Sequence, residues 1–254
     1  MDKVKILLVA AVLLSTAGLA QGTEKIGATF DITYMSKLMD KGGEYYGQKG
    51  GFLQTLDLDL WGTGFGVAVG HREATSSGYV NKERFDYKIY YGNSVFDGET
   101  YKTDYKLNWI YHHHPDQARN VGNAQEWEFA FSWPDLLPGG LVPSYVACYE
   151  YPSGSGYGNR AGTGWWHLFG LGYSLETDEL PNPLDLSANL VYRDGLGGGA
   201  VDHDWSHVTV GLSTKFQVAE SLAFVPGLYH QFSMDDSVCK GDVTYASLSL
   251  KFEF

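Results

Sequence analysis

The sequence predicts an all-β fold, an antiparallel up-and-down transmembrane β-barrel of about twelve strands behind an N-terminal signal peptide. Three observations predict it. Apolar and polar residues alternate strictly in segments of about ten residues along the whole chain. The polar face of these segments carries charge on nearly every one, more than the inside of a small soluble sandwich could neutralise. The apolar face is aromatic, with Tyr and Trp at segment ends, where the interfacial girdles of a membrane barrel sit.

The N-terminal segment comes first. Asp2, Lys3 and Lys5 open it, an apolar run from Ile6 to Leu14 follows, and Gly18-Leu19-Ala20 supplies the small residues of a cleavage site before Gln21. The apolar run is too short to cross about 30 Å of hydrocarbon as a helix, so residues 1–20 read as a signal peptide for export through the inner membrane. After Ala20 the longest uninterrupted apolar run is Tyr145 to Tyr149, which excludes a membrane helix from residues 21–254 but not a barrel strand, whose lipid face takes every second residue.

The expected strands lie at roughly 27–37, 51–61, 64–74, 84–92, 100–112, 124–133, 141–151, 165–176, 184–193, 204–217, 222–232 and 243–254. The segment after Tyr101 is representative: Tyr101, Thr103, Tyr105, Leu107, Trp109 and Tyr111 share one face, and Lys102, Asp104, Lys106 and Asn108 the other. The connections alternate as well. Trp61-Gly62-Thr63-Gly64 and residues 93–99, 134–140, 177–183 and 218–221 read as short turns. Residues 38–50, 75–83, 113–123, 152–164, 194–203 and 233–242 read as longer surface loops. No linker or low-complexity tract divides residues 21–254, so a single barrel is expected.

Composition agrees. The chain has 254 residues, 32 of them Gly, with 15% aromatic residues, 19% charged residues and a net charge of −12. Gly and aromatics are poor helix formers, and no basic stripe exists to neutralise a nucleic acid, which is therefore excluded as a partner.

The chain ends Leu248-Ser249-Leu250-Lys251-Phe252-Glu253-Phe254. A terminal Phe preceded by apolar residues at every second position resembles the last strand of Gram-negative outer-membrane β-barrels. That resemblance implies that Phe252 and Phe254 form the signal read by the barrel-assembly machinery, and it implies location in the cell outer membrane. With Asp31-Ile32-Thr33-Tyr34 near its start and Leu58-Asp59-Leu60-Trp61-Gly62 in its second strand, the chain is similar to the TorF-like porins. That family brings no binding residues with it.

If alternation sets the faces, the pore lining comprises Asp31, Asp57, Asp59, Arg84, Asp86, Lys88, Lys102, Asp104, Lys106, Glu126, Glu128, Asp185, Arg193, Lys215, Lys251 and Glu253, nine acidic and seven basic residues. Such charges either hydrate a channel or pair across strands to hold the barrel's shape. Twelve strands fall between a side-chain-filled barrel and an open porin, so a small, partly obstructed pore with weak ion selectivity is expected. His112, His113 and His114 alternate faces at a strand end and read as the start of a polar loop, not a metal site. Cys148 and Cys239 fall toward the outer side and form a possible disulfide, two free thiols being the alternative. His167 and Ser174 lie about 23 Å apart along one strand, too far for a nucleophile and its base. The function expected is passive diffusion of small polar solutes through a non-enzymatic barrel embedded in outer-membrane lipid, with no catalytic residue, cofactor or metal. The alternatives are an adhesion or scaffolding barrel that does not conduct and, further off, an outer-membrane lipid hydrolase.

Overall fold

The structure is a computed structural model that describes residues 25–47, 49–76, 83–117, 122–154, 163–195, 203–238 and 240–254. Its strands are β1 (Gly27–Met35), β2 (Met39–Asp40), β3 (Gly43–Glu44), β4 (Gly51–Asp59), β5 (Phe65–Ala74), β6 (Arg84–Val95), β7 (Thr103–His113) and β8 (Ala124–Ser132). They continue with β9 (Val142–Pro152), β10 (Gly164–Leu175), β11 (Leu184–Asp194), β12 (Asp204–Thr214), β13 (Phe216–Ala219), β14 (Leu222–Ser233) and β15 (Val243–Glu253). The predicted signal segment, residues 1–20, lies outside the described residues.

The sheet closes on itself. Consecutive wall strands pair antiparallel from β4 through β12, β12 pairs β14, β14 pairs β15, and β1 pairs both β15 and β4. With β13 continuing β12 along β14, the wall is a twelve-strand barrel, and β2 and β3 form a separate hairpin. Closure satisfies the edge groups that an open sheet would leave bare in lipid. The seam is tied at the first and last wall residues, where the Phe254 amide donates to the Ala28 carbonyl at 2.9 Å. The start of β1 and the end of β15 therefore lie at the end of the barrel that carries the short turns, the periplasmic end in barrels of this kind.

Burial is inverted relative to a soluble domain. Phe65, Ile89 and Leu228 are each more than half exposed on the outer wall, whereas Asn108, His112, Glu126 and Gln231 are buried inside. Strand lengths of nine to twelve residues suit a tilted crossing of the hydrocarbon. Among the described residues no helix is long and apolar enough to cross a membrane, which says nothing of crossing by strands. Aromatic pairs line the outer wall, Phe65 with Tyr91 at 4.6 Å and Tyr149 with Trp165 at 4.9 Å between ring centroids. Phe252 also faces outward, 6.3 Å from Phe30 on the strand across the seam, and Phe254 stands exposed at the terminus.

The expectation for the first loop is corrected. Residues 38–47 do not project as a surface loop. The β2–β3 hairpin turns inward and lies across the loop end of the lumen, with Leu38 and Tyr46 buried almost completely. The reason is that its polar groups find partners on the inner wall which they would forgo in water.

Candidate functional site

The site is the tier of the lumen where the hairpin meets the wall. Strand pairing puts Arg72 opposite Arg84, Asp86 opposite His112, and Glu126 opposite Glu150, and all of these side chains face inward near the loop end. Into this ring the hairpin delivers Asp40 and Lys41 in opposite directions. Asp40 receives Arg72 at 2.8 Å and Arg84 at 2.9 Å. Arg84 also contacts Asp86 at 2.8 Å, so the two arginines are shared between a wall carboxylate and a hairpin carboxylate. The ammonium of Lys41 lies between Glu126, at 2.5 Å, and Glu150.

Backbone groups complete the seating. The Lys41 carbonyl accepts from the Arg193 guanidinium on β11, and the Gly42 carbonyl accepts from Gln231 Nε2 on β14 at 2.7 Å. The hairpin therefore touches β5, β6, β8, β9, β11 and β14, which together go most of the way round the wall. Its tip needs glycine. Gly42 has φ of +85°, which L side chains rarely adopt, and a Cβ there would overlap the His207 ring on β12. Tyr45 makes a 3.2 Å contact to His114 Nε2 and lies beneath the Arg84 guanidinium. Lys41 also approaches the Trp166 ring, 5.8 Å from its centroid.

The charges on the hairpin are held in their ionised forms. Burial would raise the Asp40 carboxyl, but Arg72, Arg84 and Lys41 outweigh it and hold the group well below the usual carboxylate range. Burial likewise opposes the Lys41 ammonium, yet Glu150, Glu126 and Asp40 push its pKa above the ordinary lysine value. The tier balances Lys41, Arg72, Arg84 and Arg193 against Asp40, Asp86, Glu126 and Glu150. Pairing of this quality is what such burial requires, because an isolated charge there would cost several kcal/mol.

Below the hairpin the lumen is wider in chemistry and less tightly paired. Tyr90 donates to Asp57 at 2.6 Å, and Lys106 sits 3.5 Å above the Tyr90 ring. That ring lies flat over Gly66, where any side chain would collide with it. Asn108 donates to Glu128 at 2.7 Å, Ser94 to Asp104 at 2.5 Å, and Thr33 to Asp31 at 2.6 Å. At the turn end Lys215 approaches Glu253 at 3.7 Å.

Strand register puts Asp31, Asp57, Asp59, Arg84, Asp86, Lys88, Asp104, Lys106, Glu126, Glu128, Asp185, Arg193, Lys251 and Glu253 on the inner face. Only Arg84, Asp86, Glu126 and Arg193 of these belong to the hairpin tier. Lys102 lies in the turn before β7, where it pairs with Asp97 at 3.3 Å, away from the wall. Asp40, Lys41, Arg72 and Glu150 carry the tier and are additions to the sequence-based set. Of the three histidines, His112 points inward, 2.6 Å from Asp86, while His113 stacks on Tyr111 at the outer face. Cys148 is a buried thiol facing the lumen, 3.6 Å from Glu128. Cys239, its expected partner, lies outside the described residues. His167 and Ser174 lie on opposite faces, the first bonded to the outer Tyr145 at 2.8 Å and the second to the inner Asp185 at 2.8 Å.

No protein-family model matches the chain, and no curated protein matches it. Solved structures do. The chain is similar to the KdgM porin, with 9% identity and a TM-score of 0.56 over 89% of this chain and 99% of that one. It is similar to the NanC porin, with 8% identity and a TM-score of 0.55 over 89% of this chain and 100% of that one. A third likeness is to the COG4313 outer membrane channel from Pseudomonas putida F1, with 9% identity and a TM-score of 0.51 over 92% of this chain and 99% of that one. At such identities the likeness is one of fold. This chain has the closed-barrel fold of outer-membrane porins and channels.

Proposed function

We propose that the protein is a porin-like channel of the outer membrane through which small polar solutes diffuse passively, with the β2–β3 hairpin acting as a plug at its loop end. The observation that supports this most is the division of the wall: most charged side chains of the strands turn inward along a closed sheet while large apolar side chains such as Phe65, Ile89, Trp127 and Leu228 stand exposed on the outside. A lumen lined this way holds water and lowers the cost of carrying a polar solute past hydrocarbon. Residues 1–20 direct export and are removed, and Phe252 and Phe254 present the last strand to the assembly machinery.

The reading is non-enzymatic. His167 and Ser174 face opposite sides of the wall, so this serine and this imidazole do not form a nucleophile–base pair. A second reading draws on the plug itself. A barrel whose loop end stays crossed by a seated hairpin would conduct nothing and would serve adhesion or scaffolding.

Refolded protein in a planar bilayer separates these. Stable single-channel steps support the channel. Silence in both the native chain and a variant with the hairpin deleted supports the non-conducting barrel. Cleavage of phospholipid in the same vesicles would instead mark a hydrolase.

A further inference from the structure

We propose that His112, Glu126 and Glu150 form a divalent-cation site in the lumen, at which the cation takes the place of the Lys41 ammonium and so frees the plug. The ligand atoms of the three residues all lie within 4.8 Å of one another. One imidazole and two carboxylates suit a small first-row divalent ion such as zinc, with a fourth position left for water.

Two further observations point to a cation. The first is the way His112 is held. Its Nδ1 is 2.6 Å from Asp86 Oδ1, which aims Nε2 at Glu126, 3.4 Å away. A carboxylate behind the histidine is the arrangement that orients metal-ligating imidazoles and raises their basicity. The second is the tethered cation already there: the Lys41 ammonium sits between the carboxylates of Glu126 and Glu150. The ammonium has only donors to offer, and it directs them at the two carboxylates. A metal ion uses the same oxygens and gains the imidazole nitrogen. Exchange releases Lys41, and with it one of the two ionic anchors of the hairpin. Asp40 stays tied to Arg72 and Arg84, so the hairpin is loosened on the β8–β9 side.

Binding does not depend on the channel reading; only its effect on conductance rests on it. The test is calorimetric titration of zinc chloride into the refolded barrel, with Cys148→Ala as background to remove the lumenal thiol and folding checked by heat-modifiable gel migration. One zinc per chain is expected. Affinity should rise about tenfold or more in Lys41→Met, where no ammonium competes. The site should be lost in His112→Gln and in Lys41→Met/His112→Gln. A folded Lys41→Met variant that binds no zinc, or binds it equally without His112, overturns the proposal. In bilayers zinc is expected to raise the conductance of the native chain and to leave Lys41→Met unchanged. Binding without any channel activity would refute the channel and leave the site standing, whereas conduction without binding would do the reverse.

Discussion

Lys41, at the tip of a hairpin, reaches across the lumen to Glu126 on the far wall, its Nζ 2.5 Å from the carboxylate. Eighty-five positions separate the two residues in sequence, and the contact is what turns a loop into a plug. Lys41→Met removes it and leaves Glu126 and Glu150 without their shared ammonium. Removing one partner of a buried pair costs about 3–5 kcal/mol, and water in the lumen reduces that to about 1–3 kcal/mol for plug seating. The unseated fraction should rise about fivefold to 150-fold. Single-channel recording checks this: open time and mean current should both increase, and traces identical to the native chain would show that the pair does not hold the plug.

Acid tests the opposite anchor. The Asp40 carboxyl is held below the usual carboxylate range, against burial, by Arg72, Arg84 and Lys41. A depressed carboxyl contributes stability that is fully present above its free value of about 3.9 and is lost as pH falls through the value it has when seated. This anchor should therefore hold between pH 7 and pH 5 and weaken only under stronger acid. Asp40→Asn should remove the dependence. A conductance rise already complete by pH 5 in the native chain, absent in Asp40→Asn, would contradict the assignment.

Gly42→Ala should unseat the hairpin without touching any charge. A positive φ costs an L residue about 1–2 kcal/mol, and the new methyl would overlap the His207 ring. Gly241→Ala is the matched control, because Gly241 has φ of +83° and a methyl added there would meet no atom within 4 Å. Conductance should rise in the first variant and stay native in the second.

The wall makes its own prediction. Ile89 on β6 faces lipid and is more than half exposed, while its neighbour Lys88 faces the lumen. Ile89→Lys should cost about 2–4 kcal/mol near the bilayer midplane, measured by urea unfolding in vesicles, and Lys88→Gln should cost little. Equal costs would mean that the faces are assigned wrongly.

Below the plug the inner face set by strand register favours acid, with Asp31, Asp57, Asp59, Asp104, Glu128, Asp185 and Glu253 against Lys88, Lys106 and Lys251. A weak preference for cations follows, readable as a reversal potential in a potassium chloride gradient. Asp57→Asn should diminish it, and a preference for anions would contradict this map of the lumen.

The wall was legible because alternation is a one-dimensional signal. The expected segments 64–74 and 184–193 coincide almost residue for residue with β5 and β11. Where both faces are apolar or small, the signal fades. Gly66, Ala68 and Gly70 precede Arg72 on its face, and the run Tyr145 to Tyr149 hides the inward parity of Glu150, so neither residue stands out in the sequence. The hairpin was illegible for a different reason. Asp40-Lys41-Gly42-Gly43 reads as an exposed turn, and its partners lie on six strands scattered from Arg72 to Gln231. Only closure of the barrel brings those side chains onto one tier.

Amide hydrogen exchange of residues 38–46 in the refolded barrel tests the seated plug most directly. Leu38 and Tyr46 are buried and the Tyr45 amide donates to the Leu38 carbonyl at 2.8 Å, so exchange should be as slow as in the flanking strands β1 and β4. Exchange as fast as in the exposed turn at 61–64 would mean that this segment stands in solvent and that the lumen is open.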